Sequence, residues 1–239
     1  MYCRENKADM SSYGSLTTFS PSGELGQIKN AQAAVYKGAT ALAIKALDGV
    51  VIASEKKAPS PLVDPATIEK VFTIDNHVGL TYSGLGPDAR VLVDVARKEC
   101  QSYTLRFGEP MPVPQLAREI ALVYRDYTQS SGVRPFGVSV IICGADSQGV
   151  HLYQLDPSGT FLPWKAVATG KNASSARTSL EKRYQSDMEL EDAVHTALIT
   201  VKDGLDGEMN PDSVEVGVVR KGSFAILNAA ELADYITQI

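Results

Sequence analysis

The sequence predicts an α+β fold: a four-layer α-β-β-α sandwich of two antiparallel sheets packed face to face, with helices on both outer surfaces. Three observations carry this. Short β patterns come in pairs around tight-turn residues, which is the signature of antiparallel hairpins. Blocks of strands alternate with pairs of stretches whose apolar residues recur at helical spacing. With 239 residues, 44% hydrophobic and 21% charged, the chain can bury one large core, and no stretch reads as an inter-domain linker. Each sheet then buries one face on its partner and the other under helices.

The elements follow in order. Residues 1–22 form a predicted tail, polar to about Ser15 and carrying Gly14 and several serines, a composition that favours a conditionally ordered arm. Over 23–38 the apolar positions Leu25, Ile28, Ala31 and Val35 fall near helical spacing, with Gly38 placed to stop the helix. Residues 40–46 and 50–54 read as a hairpin around Asp48-Gly49, and 71–74 with 78–83 as a second around Asp75-Asn76. Leu92, Val95, Ala96, Cys100 and Tyr103 mark one face of a helix. Leu116, Ile120, Val123, Tyr124 and Tyr127 mark another after Pro114, a residue suited to a first helical turn.

The β signal returns at 137–143 and 151–155. Asp156-Pro157-Ser158-Gly159 reads as a type I turn into a single strand over 160–169. Ala176, Leu180 and Tyr184 open a helix, and the strongest stripe of the chain, Leu190 to Leu205, makes the next. A last hairpin over 214–219 and 223–227 turns at Lys221-Gly222, and a terminal helix carries Leu232, Tyr235 and Ile236 behind an Asn228 cap. The whole, 1–239, is one domain.

Composition narrows the function. A net charge of −5 argues against a general nucleic-acid binder. Cys3, Cys100 and Cys143 are odd in number, widely spaced and without a C-x-x-C pair, which suggests neither a disulfide framework nor a zinc site and fits a reducing compartment. The longest apolar run, near 138–143, is far short of the roughly 20 residues of a membrane helix. The first residues lack an apolar segment of signal-peptide type. The expectation is a protein of the cytoplasm and nucleus with no metal, no cofactor, no nucleic-acid partner and no membrane.

Side chains that could carry chemistry are sparse. His77, His151 and His195 show no spacing that would assemble a triad with a serine. Arg134-Pro135-Phe136-Gly137 reads as a rigid turn before a strand.

Several segments, however, occur together in one order: Leu16-Thr17-Thr18-Phe19-Ser20-Pro21-Ser22-Gly23, then Ser83-Gly84-Leu85-Gly86-Pro87-Asp88-Ala89-Arg90, Tyr127 to Val138 with its Arg-Pro-Phe-Gly turn, Asp156-Pro157-Ser158-Gly159, and Leu180-Glu181-Lys182-Arg183-Tyr184. With them the chain resembles the alpha-type subunits of the 20S proteasome over nearly its whole length. The resemblance implies the N-terminal-nucleophile hydrolase fold. In that family's catalytic beta subunits the first strand begins at a free N-terminal threonine, whose hydroxyl is the nucleophile and whose amine is the base. Here that position matches Ala39, inside the chain, while Glu55 and Lys70 match the acid and the lysine that tune the nucleophile.

The implied role is a non-catalytic one. Seven alpha subunits form a ring on a ring of beta subunits, their N-terminal tails close the entry pore, and pockets between neighbours take the C-terminal tails of regulatory ATPases. Carried onto this sequence, Lys70 is the pocket lysine that pairs with the tail carboxylate, and Gly23, Leu25 and Gly84 line the same pocket, glycine permitting close approach of backbone. The gate positions are Ser12, Tyr13, Pro21 and Asn30. Two of them depart from the family. Where it reads Gln-Ile/Val-Glu-Tyr-Ala, this chain reads Gln27-Ile28-Lys29-Asn30-Ala31, losing an aromatic and reversing a charge. The tail tyrosine matches Ser12, with Tyr13 next door. Gly26 also stands where a bulkier residue is usual, at about 1 kcal/mol of helix stability relative to alanine. Two alternatives stay open: an N-terminal-nucleophile hydrolase activated by removal of the leading segment at Thr40, and a free-standing scaffold.

Overall fold

The computed structural model describes residues 19–58, 60, 62–130, 132–205 and 207–239. In chain order these form α1 (Gly26–Lys37), β1 (Ala41–Lys45), β2 (Gly49–Glu55), β3 (Val71–Asp75), β4 (Val78–Gly84), α2 (Gly86–Phe107) and α3 (Val113–Gln129). They continue through β5 (Val138–Asp146), β6 (Gly149–Leu155), β7 (Phe161–Pro163), β8 (Ala166–Thr169), α4 (Ala173–Arg183), α5 (Leu190–Lys202), β9 (Val214–Arg220), β10 (Ser223–Ile226) and α6 (Ala229–Thr237).

The strands sort into two sheets, ordered β10-β9-β2-β1-β8 and β3-β4-β5-β6-β7, and every pairing between them is antiparallel. β1 shows why the sequence demands two layers of cover. Its side chains alternate faces, with Ala41 and Ala43 in the core between the sheets and Leu42 and Ile44 in the core under the helices. Both faces are buried from Ala41 to Ile44, and over those residues the strand is apolar. Ile52, Val71, Ile141, Leu152 and Phe224 join the inter-sheet layer. Leu180, Val194 and Leu198 of α4 and α5 cover the first sheet, and Leu92, Ala96, Leu116 and Ile120 of α2 and α3 cover the second. The four-layer sandwich expected from the sequence is the observed fold.

Local chemistry accounts for several element ends. The β9–β10 hairpin turns through Lys221 at φ 51° and Gly222 at φ 80°, the paired positive φ of a two-residue turn. Asn228 accepts from the backbone N–H of Ala230 and Glu231 while Glu231 reaches back to the Asn228 N–H, a reciprocal cap on α6. Gly159 N–H donates to Asp156 C=O at 2.9 Å, closing the expected turn.

Four expectations change. Residues 160–169 are not one strand: β7 pairs with β6 in one sheet, β8 with β1 in the other. The chain switches at Trp164-Lys165, where Trp164 N–H donates to Leu152 C=O and Lys165 C=O accepts from Lys45 N–H. The second hairpin turns at Asn76-His77, because Asp75 pairs with Val78 beside a bulge after Thr73. On α2 the buried stripe takes in Ala89 and Val93, while Val95 is half-buried. Gly38 ends α1 at φ −71° and ψ 162°, an ordinary extended conformation, so its glycine has another reason, given below.

No helix of the described residues is long and apolar enough to cross a membrane, and no group of three or more His, Cys, Asp or Glu side chains among them is arranged to hold a metal ion. Cys100 and Cys143 are free thiols, which burial pushes up to about 12.

Candidate functional site

The leading segment meets the sandwich in two steps. The first is a turn: Gly23 N–H donates to Ser20 C=O at 2.8 Å and Ser20 N–H donates to Glu24 C=O at 2.9 Å, with Pro21 in the turn. The Ser20 hydroxyl accepts from Glu24 N–H. These bonds hold residues 20–24 outside the helix, so α1 starts at Gly26, three residues later than the apolar spacing alone implies. Gly23 sits at φ 78° with nothing within 4 Å of where a side chain would begin. Its glycine serves the turn.

Phe19, Gly23, Glu24, Leu25, Ile28, Lys29 and Gln32 line a groove on this surface. Lys70 and Gly84 are not part of it, so one subunit brings together two of the four residues assigned to the docking pocket. Lys29, with its side chain 69% exposed, pairs with Glu24 at 2.9 Å, and Asn30 beside it is exposed, as is Pro21. Ser12 and Tyr13 lie outside the described residues.

The second step is a lock. α1 packs on β4 and β5, and the chain then passes through Gly38-Ala39 into β1 between two other backbone segments. A Cβ on Gly38 would stand 2.3 Å from Gly84 N, and one on Gly84, at φ 116°, would stand 2.3 Å from Gly137 C=O. On the other side a Cβ on Gly170 would stand 2.6 Å from Ala39 C=O. Glycine at 38 is thus required by contact with a strand far along the chain. The Ser83 hydroxyl shares its proton between the carbonyls of Ala39 at 2.8 Å and Val35 at 3.2 Å, and Lys171 N–H donates to Gly38 C=O at 2.9 Å.

The opposite wall is held by Asp88, near the start of α2. Its carboxylate accepts from Gly137 N–H at 2.9 Å and from both terminal nitrogens of the Arg134 guanidinium at 2.7 and 2.8 Å. That bidentate pairing, helped by the Gly137 N–H, holds the carboxyl below the usual carboxylate range. The Arg-Pro-Phe-Gly turn is therefore part of the lock.

Thr40, at the mouth of β1, is buried. Its N–H donates to Glu55 Oε2 at 3.3 Å, its C=O accepts from Glu55 N–H at 2.9 Å and from the Ser54 hydroxyl at 3.3 Å, and its hydroxyl accepts from Asn172 N–H at 3.4 Å. The nitrogens of Ala39 and Thr40 are peptide nitrogens in this chain.

Lys70 stands just before β3 and is only 9% exposed. Its Nζ lies 4.2 Å from the centre of the Tyr82 ring, a cation on an aromatic face. Burial lowers its pKa, against the fields of Glu55 and Glu215, which raise it. The sequence reading missed Glu215. This β9 side chain accepts from Lys70 N–H at 2.6 Å and Val71 N–H at 3.0 Å, tying one sheet to the other. The signal was a carboxylate interrupting an apolar strand, Val214-Glu215-Val216. The histidines do not converge with this site: His77 bonds Met111 C=O and His151 bonds Asp146.

The family model described as "Proteasome subunit" matches residues 35–219, most of the chain. A curated relative, proteasome subunit alpha type-2 of Trypanosoma brucei brucei, is 60% identical over 229 residues, covering 96% of this chain and 99% of its own. Proteins of the same name from Oryza sativa subsp. indica and from Drosophila melanogaster are each 52% identical, covering 94% of this chain and 96% of theirs. The sandwich and these similarities agree: the chain belongs to the proteasome subunit family, in its alpha-type branch and most like the second eukaryotic type.

Proposed function

We propose that this chain is a non-catalytic alpha-ring subunit of the 20S core particle. It builds a seven-membered ring with other alpha subunits on an adjacent ring of beta subunits, and it gates substrate entry and docks regulatory C-terminal tails, in the cytoplasm and nucleus. The observation that carries the reading is the lock at Gly38-Ala39. A threonine hydrolase needs a free amine at the head of β1, and here the chain continues back through a slot where Ala39, Gly38 and Val35 are all hydrogen-bonded. The intact mass of this subunit within purified particles tests it. The expected result is a retained leading segment; cleavage before Thr40 with peptide hydrolysis dependent on Thr40 would establish the hydrolase instead.

The gate reading is narrower. Asn30 is exposed on α1 and offers no ring to pack on the Pro21 turn, and Lys29 is engaged with Glu24. The subunit therefore completes the ring while contributing little to the cluster that holds an open gate. Restoring Asn30→Tyr with Lys29→Glu is expected to raise activator-stimulated peptide hydrolysis by assembled particles. Unchanged basal and stimulated rates would refute it.

A further inference from the structure

Lys70 presents an incomplete charge pairing. Its ammonium sits on the Tyr82 ring, and among the described residues no carboxylate closes to ion-pair distance of it, although Glu55 on β2 and Glu215 on β9 both act on it electrostatically. Tyr82 in turn feels Glu215 and Arg90 of α2. One oxygen of Glu215 holds the N–H groups of both Lys70 and Val71, and Thr81 Oγ1 donates to Lys70 C=O at 3.0 Å. The backbone of Lys70 is thus fixed on both sides, while its largely buried ammonium has no carboxylate within ion-pair distance among the described residues.

We propose that Glu215 is the positioning and affinity-limiting residue of this site: it fixes the Lys70 backbone and, by its own charge, weakens the attraction between the Lys70 ammonium and an arriving carboxylate. This rests on the reading of Lys70 as the docking cation. The physical logic is a division of labour. Two backbone donors need an acceptor, which any oxygen at this position supplies, whereas the negative charge is superfluous for that task and repels an anionic ligand. A site tuned this way binds a carboxylate when neighbouring contacts add to it and releases free anions.

Charge and reach separate in two variants within assembled particles. Glu215→Gln keeps an oxygen for both N–H groups and removes the charge. Glu215→Asp keeps the charge but is one methylene too short. The probe is a synthetic C-terminal heptapeptide of a regulatory ATPase subunit, as free acid and as amide, with binding followed by fluorescence anisotropy. Glu215→Gln is expected to bind the free acid about three- to tenfold tighter with the amide unchanged, and Glu215→Asp to bind the acid at least about fivefold more weakly. Equal weakening in both variants, or no change in Glu215→Gln, overturns the proposal. Salt dependence of acid binding gives a second measure without the Asp variant: a steeper slope in Glu215→Gln supports the proposal and an identical slope overturns it. Lys70→Met separates the underlying reading. If that particle still prefers acid over amide, Lys70 is not the docking cation; if the preference vanishes while Glu215→Gln binds like wild type, only the role of Glu215 falls.

Discussion

The two ends of the leading segment are built on opposite principles. At Gly38-Ala39 backbone is pressed on backbone, every nearby carbonyl named above has a donor, and glycines at 38, 84 and 170 are needed because nothing larger fits. At Ser20-Lys29 the turn closes on its own hydrogen bonds, its glycine is needed for a positive φ, and the ion pair beside it is exposed. The difference teaches where variation is cheap. The lock couples four parts of the chain and resists substitution, whereas the turn and the outer surface of α1 carry few such constraints. It is in the permissive region that Lys29 and Asn30 depart from the family pattern.

Three changes probe that contrast, in falling order of effect. Gly84→Ala should be the most damaging, since the new methyl would collide with Gly137 C=O at a left-handed φ; a loss of about 3 kcal/mol or more is expected, read as failed incorporation into particles or a large drop in Tm. A variant that assembles normally would break the idea of a lock. Asp88→Asn should cost about 1–2 kcal/mol by weakening the charge-assisted bonds to Arg134 and Gly137. Because the folded Asp88 carboxyl titrates below its unfolded value, that stability is complete above the unfolded pKa of about 4 and is lost as pH falls through the lower folded value. Urea midpoints of wild type and variant should therefore converge at acid pH; a constant gap down to pH of about 2 would assign the effect to packing. Lys29→Ala should move stability by less than about 0.5 kcal/mol, since an exposed pair is screened by water and salt. A Tm shift of several degrees would show that the turn is not permissive.

What the sequence made legible follows range of interaction. The Lys221-Gly222 turn, the Asn228 cap and the α5 stripe are dictated by neighbours a few residues away, and all three are present, although α5 ends at Lys202 and leaves Leu205 beyond the helix. The crossing at Trp164-Lys165 was not legible, because both flanking strands look like one apolar run and the choice of sheet is made by Leu152 and Lys45, distant in sequence. Gly38 does end α1, as its place in the sequence predicts, but the need for glycine there comes from distant Gly84 and is equally out of local reach. In the candidate site, Lys70 and Glu55 were reached by resemblance, whereas Glu215 acts through backbone donors on another sheet, a partnership that no local pattern encodes.

The crossing also has a mechanical meaning. Two adjacent residues bond to opposite sheets, so the chain there behaves like a seam stitched across the gap between two panels. A pull that tries to slide one sheet along the other loads that two-residue stitch directly, together with the Glu215 tie. Shear between the layers is resisted at these short links and at the bond from Phe224 N–H to Asn76 C=O, so the sandwich should yield by peeling its helices before its sheets slip.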